Sequence, residues 1–155
     1  MENFGDPNSH LMRAGRQVGI HFKTDRNVYP TVQAHALMEY VKNDLKDVEK
    51  SNRIMEELYK RYFEHGENIN SVAVLQQIGA TFGLEQDVVE QVAQDDTRHR
   101  SILQKDHLHK ARMHIRGVPF YIIEQQDNNS RPVGFSGAQP PAVIAEYLRE
   151  AAGLE

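Results

Sequence analysis

The chain has 155 residues, of which 39% are hydrophobic and 26% are charged, and it contains no cysteine. This length and composition are typical of one globular domain, while the lack of cysteine excludes a disulfide framework, a thiolate metal site and a catalytic thiol. The net charge of -4 does not favour nucleic-acid binding, and no apolar run is long enough to span a membrane.

The N-terminal residues carry neither the basic nor the apolar region of a secretory signal, so a cytoplasmic location is the default expectation. Residues 8 to 19 predict a short helix. The alternation from Gly19 to Lys23 then predicts a short extended piece.

Two longer helices are predicted after Pro30. Thr31 can cap the first of them, which continues to about Leu45 because apolar residues recur at helical spacing. The second helix runs over residues 47 to 65, and Gly66 is placed to end it in the left-handed conformation.

Two shorter helices follow. Asn70 is predicted to cap the first, which Gly83 ends with Leu84 as the hydrophobic contact beyond it. The second short helix is indicated by three apolar residues, Val88, Val89 and Val92.

A basic segment, residues 97 to 115, predicts a fifth helix in this block, with an apolar side of Ile102, Leu103, Ala111 and Ile115. Against the single acid Asp106, the stretch from 98 to 116 carries Arg98, His99, Arg100, Lys105, His107, His109, Lys110, Arg112, His114 and Arg116. The lysines and arginines spread around the helix without interleaved aromatic residues, so a solvated face is favoured over a phosphate or nucleic-acid site.

No chemical motif stands out from the residues themselves. His107 and His109 point to different faces of their helix, and no histidine in the segment has a partner four residues on, so no metal site is predicted. Nucleophile elbows, phosphate-binding loops and zincin motifs are also missing from the sequence.

After Gly117 the spacing of the apolar residues is no longer that of a helix. Residues 120 to 123 form a β-prone run, residues 127 to 130 form a turn cluster, and residues 133 to 136 alternate as a returning strand, which predicts a hairpin over 119 to 136. A last helix begins at Pro140 and Pro141 and ends at Gly153. Its face toward the hairpin is predicted to consist of Val143, Ile144, Tyr147, Leu148 and Ala151.

Several weak motifs in this order resemble the FrnE-like branch of the DsbA-type thioredoxin-fold oxidoreductases. The motifs are Thr31 with Ala34-His35, Tyr62-Phe63-Glu64-His65-Gly66, Gly83-Leu84-Glu85, Gly117-Val118-Pro119-Phe120 and Gly137-Ala138-Gln139-Pro140. Together they span nearly the whole chain.

The resemblance implies an α+β fold: an incomplete thioredoxin fold with a large helical insertion, a β-hairpin and a C-terminal helix. The implied parts are an N-terminal segment, residues 1 to 30, a helical lid, residues 31 to 116, and the second half of the thioredoxin fold, residues 117 to 155. The family's proline at the position of Pro119 is cis. The implied substrate-binding residues are Gly117, Val118, Pro119, Phe120, Thr31 and His35.

The chain departs from this family in one decisive way. Its first β-α-β unit, with the Cys-x-x-Cys pair, has no counterpart here, and Pro30 stands where the family has asparagine. Because thiol–disulfide exchange needs a reactive cysteine, the chain is predicted to have no catalytic residue and no redox activity alone, as a fragment or a pseudo-enzyme.

The missing strand would leave a hydrophobic strand edge at residues 120 to 123 without a partner. Apart from a longer parent protein, we expect this edge to pair with residues 20 to 23 or with a second chain in a homodimer.

Two further functions stay open at this stage. One is a non-catalytic module that holds an extended peptide or a protein thiol substrate in the groove beside Pro119. The other is a relative of the kappa-class glutathione transferases and isomerases that binds glutathione through Val118. No cofactor, nucleic acid or membrane is expected.

Overall fold

A computed structural model describes residues 6–115, 117–124 and 132–154. These residues contain seven α-helices, two π-helical segments and a two-stranded antiparallel sheet, which confirms the predicted α+β class. They divide into two compact units, one up to Gln104 and one from Lys105 onward. The division falls inside the longest helix.

The helices of the first unit follow the predicted order. They are α1 (His10–Gln17), α2 (Val32–Glu39), α3 (Val48–Tyr59), α4 (Val72–Thr81), α5 (Gln86–Ala93) and the start of α6 (Asp96–Arg112). The π-helical segments Tyr40–Asp44 and Lys60–His65 directly continue α2 and α3. The two long helices predicted from the sequence are therefore present, but each ends in a wider turn.

The core of the first unit lies between α2, α3, α4 and α5. Its largest fully buried side chains are Leu37, Val41, Ile54, Leu75, Ile78 and Val89. Leu37 and Val41 lie one helical turn apart, as do Leu75 and Ile78, while Ile54 and Val89 are each joined by a second buried residue one turn on, Leu58 and Ala93. Each helix therefore turns an apolar stripe inward. The burial of these stripes is the main source of stability for a helical unit of this size.

Two glycines end helices as predicted. Gly66 has a φ of +71° and donates to the carbonyl of Tyr62, and Gly83 has a φ of +73° after α4. Leu84 N–H then donates to the carbonyl of Gly79 at 2.9 Å. This is the six-to-one bond of a Schellman end, in which glycine carries no steric cost.

Helix capping differs from the prediction at two positions. Ser71, not Asn70, precedes α4, and the Asn70 side chain instead accepts a hydrogen bond from Gln33 N–H of α2. Thr31 does precede α2, but its side chain makes no cap bond. A residue from another part of the chain thus satisfies a donor at the start of α2.

The segment after α1 forms no strand, so the extended piece predicted over residues 19 to 23 does not become part of a ladder among the described residues. Phe22 instead packs edge-on against Phe63, with ring centroids 5.9 Å apart, and Lys23 N–H donates to the carbonyl of Phe63 at 2.8 Å. The Arg26 guanidinium lies 5.1 Å from the centre of the Phe63 ring. Aromatic packing and a cation–π contact, instead of a ladder, fix this segment.

Helix α6 is more exposed than its sequence predicted. It has no buried residue; Leu103 is 59% exposed, and Ala111 is also exposed. Ile102 is half-buried. An ion pair of 2.6 Å between Lys110 and Asp106, one turn apart, lies on its surface. Only part of the predicted apolar side is therefore shielded from solvent.

The second unit pairs β1 (Phe120–Ile123) with β2 (Val133–Ser136) and packs α7 (Pro141–Ala151) against both strands. Its sheet has two strands among the residues that the structure describes, so the predicted pairing with residues 20 to 23 is not found. The predicted turn cluster, residues 127 to 130, lies outside the described residues.

Three stacked rings form the centre of the second unit. Phe135 is buried and lies between Tyr121 and Tyr147, with ring centroids 5.0 and 4.4 Å away. Ala151 is buried as predicted, but Leu148 is 52% exposed and does not belong to the covering face. The hairpin and the last helix are thus joined mainly by aromatic stacking.

Candidate functional site

The six predicted substrate-binding residues occupy two places. Gly117, Val118, Pro119 and Phe120 form the entry to β1 in the second unit, whereas Thr31 and His35 lie at the start of α2 in the first unit.

The entry to β1 is held by the segment after β2. The Val118–Pro119 peptide bond is cis, which agrees with the expectation from the resemblance. The Pro119 carbonyl accepts a hydrogen bond of 2.9 Å from Gly137 N–H, and Gln139 Nε2 donates to the carbonyl of Ser136 at 2.9 Å. The motifs 117–120 and 137–140, separated in sequence, are therefore adjacent in the fold.

The backbone just before this proline is open. The Val118 side chain is 86% exposed, and neither its N–H nor its carbonyl bonds to any described residue. Gly117 also leaves open space, since a Cβ added there would meet no atom within 4 Å. A ligand can therefore approach this backbone directly.

The register of the hairpin shows which backbone groups of β1 are unpaired. Tyr121 lies opposite Phe135, and Pro119 already bonds across to Gly137. Because antiparallel ladder bonds recur at every second residue, the N–H and C=O groups of Phe120 and Ile122 point away from β2. We call the backbone of Val118, Phe120 and Ile122 the free edge; within the described chain it has no strand partner.

The free edge is apolar and uncharged. Strand β1 consists of Phe-Tyr-Ile-Ile, and Ile122 is 42% exposed. Natural edge strands are usually protected by charges, prolines or bulges, since an unprotected edge pairs readily with another chain. Among the described residues, Pro119 precedes β1 and the exposed Glu124 follows it, but the four residues of the strand itself include no charge and no proline.

Thr31 and His35 line a small pocket in the first unit, with a volume of about 160 Å³. Helices α2 and α3 and the residue Ile69 contribute the other walls, which are Ala34, Met38, Met55, Leu58, Tyr59 and Ile69. Leu58 and Ile69 are buried, whereas Thr31, His35 and Tyr59 are exposed. The pocket thus has an apolar floor and a polar rim.

Sequence reasoning missed part of this pocket. Met55 and Tyr59 lie four residues apart on one face of α3, and the same spacing separates Thr31, directly before α2, from His35 within it. This spacing predicts two faces but cannot show that the faces meet. Only the packing of α2 against α3 brings them together.

The two residues with shifted pKa values lie neither at the entry to β1 nor in the pocket of the first unit. Hydrogen bonding to Glu57, opposed in part by burial, raises the pKa of Arg61, and a backbone hydrogen bond from Arg98 lowers the pKa of Asp95. Among the described residues, no group of three histidine, aspartate or glutamate side chains could hold a metal ion. Both displaced groups stabilise helix contacts and ends.

None of the helices in the described ranges is long and apolar enough to cross a bilayer.

Comparison with known proteins gives one family and one fold. The family model of the DsbA-like thioredoxin domain matches residues 8–149. A probable DsbA oxidoreductase from Streptomyces coelicolor is similar in structure, with a TM-score of 0.73 and 23% sequence identity over 92% of this chain. No curated protein gives a significant match.

The similarity covers 58% of the length of the Streptomyces chain, so the present chain spans less than two thirds of that protein. At this identity the structural match establishes the fold alone, a DsbA-like thioredoxin fold with a helical insertion. The family model covers far more than half of the sequence. The chain therefore belongs to the DsbA-like thioredoxin domain family.

Proposed function

We propose that this chain is a FrnE-like member of its family that holds an extended polypeptide and performs no thiol chemistry by itself. The observation that carries the proposal is the free edge of Val118, Phe120 and Ile122, which offers unpaired backbone groups beside an open approach. Extended peptides bind such edges by adding a strand.

The chemistry of the family supports only a binding role for these 155 residues. Thiol–disulfide exchange begins with attack of a thiolate on a disulfide sulfur, and this sequence contains no cysteine. A cysteine pair that acts on a polypeptide held here must belong to residues outside this sequence. The proposed role is thus to present a protein substrate, or a partner, in an extended conformation.

The geometry supports strand addition in particular. Phe120 and Ile122 together offer two N–H donors and two carbonyl acceptors at the spacing of a strand. The side chain of Ile122, 42% exposed, would be covered by the added strand or its side chains. Backbone pairing is insensitive to sequence, so this edge fits a substrate range broader than one peptide.

An insulin-reduction assay tests the missing chemistry. We expect the purified chain to give no turnover above the rate of the dithiothreitol control. Turnover that scales with the concentration of this chain, and that survives repeated purification, would contradict the proposal.

Hydrogen exchange tests the binding site. An acetylated and amidated heptapeptide of alternating threonine and valine should slow exchange at the amides of Phe120 and Ile122. The same peptide with N-methyl groups at alternate residues on its pairing side should have no effect, since it lacks the donors. Equal protection by both peptides, or protection by neither, would refute strand addition.

Two other occupants of the free edge can be recognised in the same system. Glutathione bound there would raise the unfolding midpoint in a titration, because a ligand of the native state stabilises it by mass action. A second copy would double the mass in sedimentation and would protect both amides without any peptide. Either result would replace the polypeptide as the proposed occupant.

A further inference from the structure

We infer that the pocket of the first unit is a separate binding site that takes one apolar side chain of a polypeptide, of the size of leucine, methionine or phenylalanine. The inference rests on the proposed function only in that the ligand is a polypeptide. It adds a preference for the side chain, which the backbone groups of the free edge cannot supply.

The volume of the pocket sets the size of the ligand. It is about 160 Å³, close to an apolar cavity of about 150 Å³ that holds one benzene molecule. Sites for whole drug-sized ligands or cofactors are larger, roughly 300–1,000 Å³. One side chain fits this pocket, and a whole glutathione molecule does not.

The walls of the pocket suit an apolar group. Ala34, Leu58 and Ile69 are buried, and among the residues that the structure describes no lysine, arginine, aspartate or glutamate lines the pocket. Met38 and Met55 are both half-buried in the wall. Since methionine is unbranched and flexible, these two side chains can adjust to ligands of different shape.

The rim of the pocket supplies polar groups that could bond to the backbone of a ligand. Thr31, His35 and Tyr59 are exposed and line the same pocket. Within the part of the chain that the structure describes, no hydrogen bond involves the Thr31 hydroxyl, the His35 ring or the Tyr59 hydroxyl. A ligand that is apolar at its tip and carries amides at its base matches this arrangement.

Methyl NMR of methionine gives a direct test. The chain has five methionines, and of the four that the structure describes only Met38 and Met55 line the pocket. With ¹³C-methyl labelling, a Thr/Val host heptapeptide that carries a central leucine should shift these two signals. Met12, buried elsewhere in the first unit, and Met113, in the second unit, serve as internal controls and should not move.

The affinity for the guest residue gives the second readout. A central leucine should bind roughly 10- to 60-fold more tightly than a central alanine, because it places about three more carbon atoms in an apolar site. The Met55→Ala variant enlarges the pocket and should shift the preference from leucine toward tryptophan. Met113→Ala is the matched control and should keep the wild-type order of guests.

The outcomes separate this inference from the proposed function. If leucine and alanine peptides protect Phe120 and Ile122 equally and neither shifts Met38 or Met55, the pocket inference is overturned while strand addition holds. If the leucine peptide shifts both methyl signals but leaves the free edge unprotected, the pocket is supported and strand addition fails. If no peptide produces either effect, both are refuted.

Discussion

The Oδ1 atom of Asn70 accepts a hydrogen bond of 3.2 Å from the N–H of Gln33, although the two residues are 37 positions apart. Gln33 is the second residue of α2, where backbone donors have no partner within the helix. Asn70 is therefore a cap supplied by tertiary structure, beside the pocket lined by Thr31 and Ile69.

Replacement of Asn70 should destabilise the first unit. Asn70→Ala removes the cap of α2, and loss of a capping side chain costs about 1 kcal/mol. Thr31→Ala is the matched control, since Thr31 holds the usual capping position without a cap bond. Urea unfolding should show the loss for Asn70 and a much smaller change for Thr31; the reverse order would disprove the assignment of the cap.

The stability of the protein should depend on Asp95 in acid. Its carboxylate accepts hydrogen bonds from the backbone N–H groups of Arg98 and Thr97, and the first of these is the main reason that its pKa lies below 3.8. A carboxyl group with a lowered pKa in the folded state stabilises above its unfolded pKa, and this contribution is lost as the pH falls through the folded pKa.

Asp95→Asn tests this dependence, because asparagine can still cap α6 but does not titrate. The variant should lose less stability than the wild type between about pH 5 and pH 2, measured by urea unfolding at each pH. A carboxyl-detected NMR titration should also place the Asp95 midpoint below 3.8. A midpoint above that value would contradict the hydrogen-bond geometry.

Gly79 should resist enlargement because α4 and α5 approach closely at this residue. A Cβ at Gly79 would lie 2.6 Å from Cγ2 of Val89, whose side chain is fully buried. Gly79→Ala should cost about 1–3 kcal/mol in unfolding free energy despite the better helix propensity of alanine. The same substitution at Gly117, where the space is open, should change stability by less than about 0.5 kcal/mol.

Phe135 should control the stability of the second unit. It is stacked between Tyr121 and Tyr147, so Phe135→Ala removes both ring contacts and leaves a cavity. We expect a loss of about 3 kcal/mol, together with loss of the near-ultraviolet circular dichroism from the two tyrosines. Tyr121→Phe keeps the stack and should be nearly neutral; a large effect there would place the stability in the hydroxyl group instead.

Local patterns predicted several elements well. Gly66 and Gly83 were expected to end helices, and both have the positive φ angles that favour glycine. The strands at 120–123 and 133–136 were also expected from their β-prone residues. In each case the prediction depends on a few neighbouring residues, whose conformational preferences are strong enough to decide the outcome.

Patterns that depend on distant contacts failed. Residues 19 to 23 alternate like a strand, but Phe22 packs on Phe63 and Lys23 bonds to its carbonyl, so no ladder forms. Leu148 lies at helical spacing with Ile144 and Ala151 yet remains exposed. Periodicity predicts which residues share a face, and it cannot decide how much of that face a neighbour covers.

The sequence by itself determined that this chain has no thiolate for disulfide exchange and that its motifs follow the order of a DsbA-like domain, because these facts depend only on residue identity and spacing. Tertiary structure decided which groups are available for binding. Packing of α2 against α3 assembles a pocket from residues that are far apart in sequence, and the register of the hairpin leaves Phe120 and Ile122 with unpaired backbone groups. Which groups stay available depends on which surfaces meet in three dimensions, and the conformational preferences of neighbouring residues do not determine this.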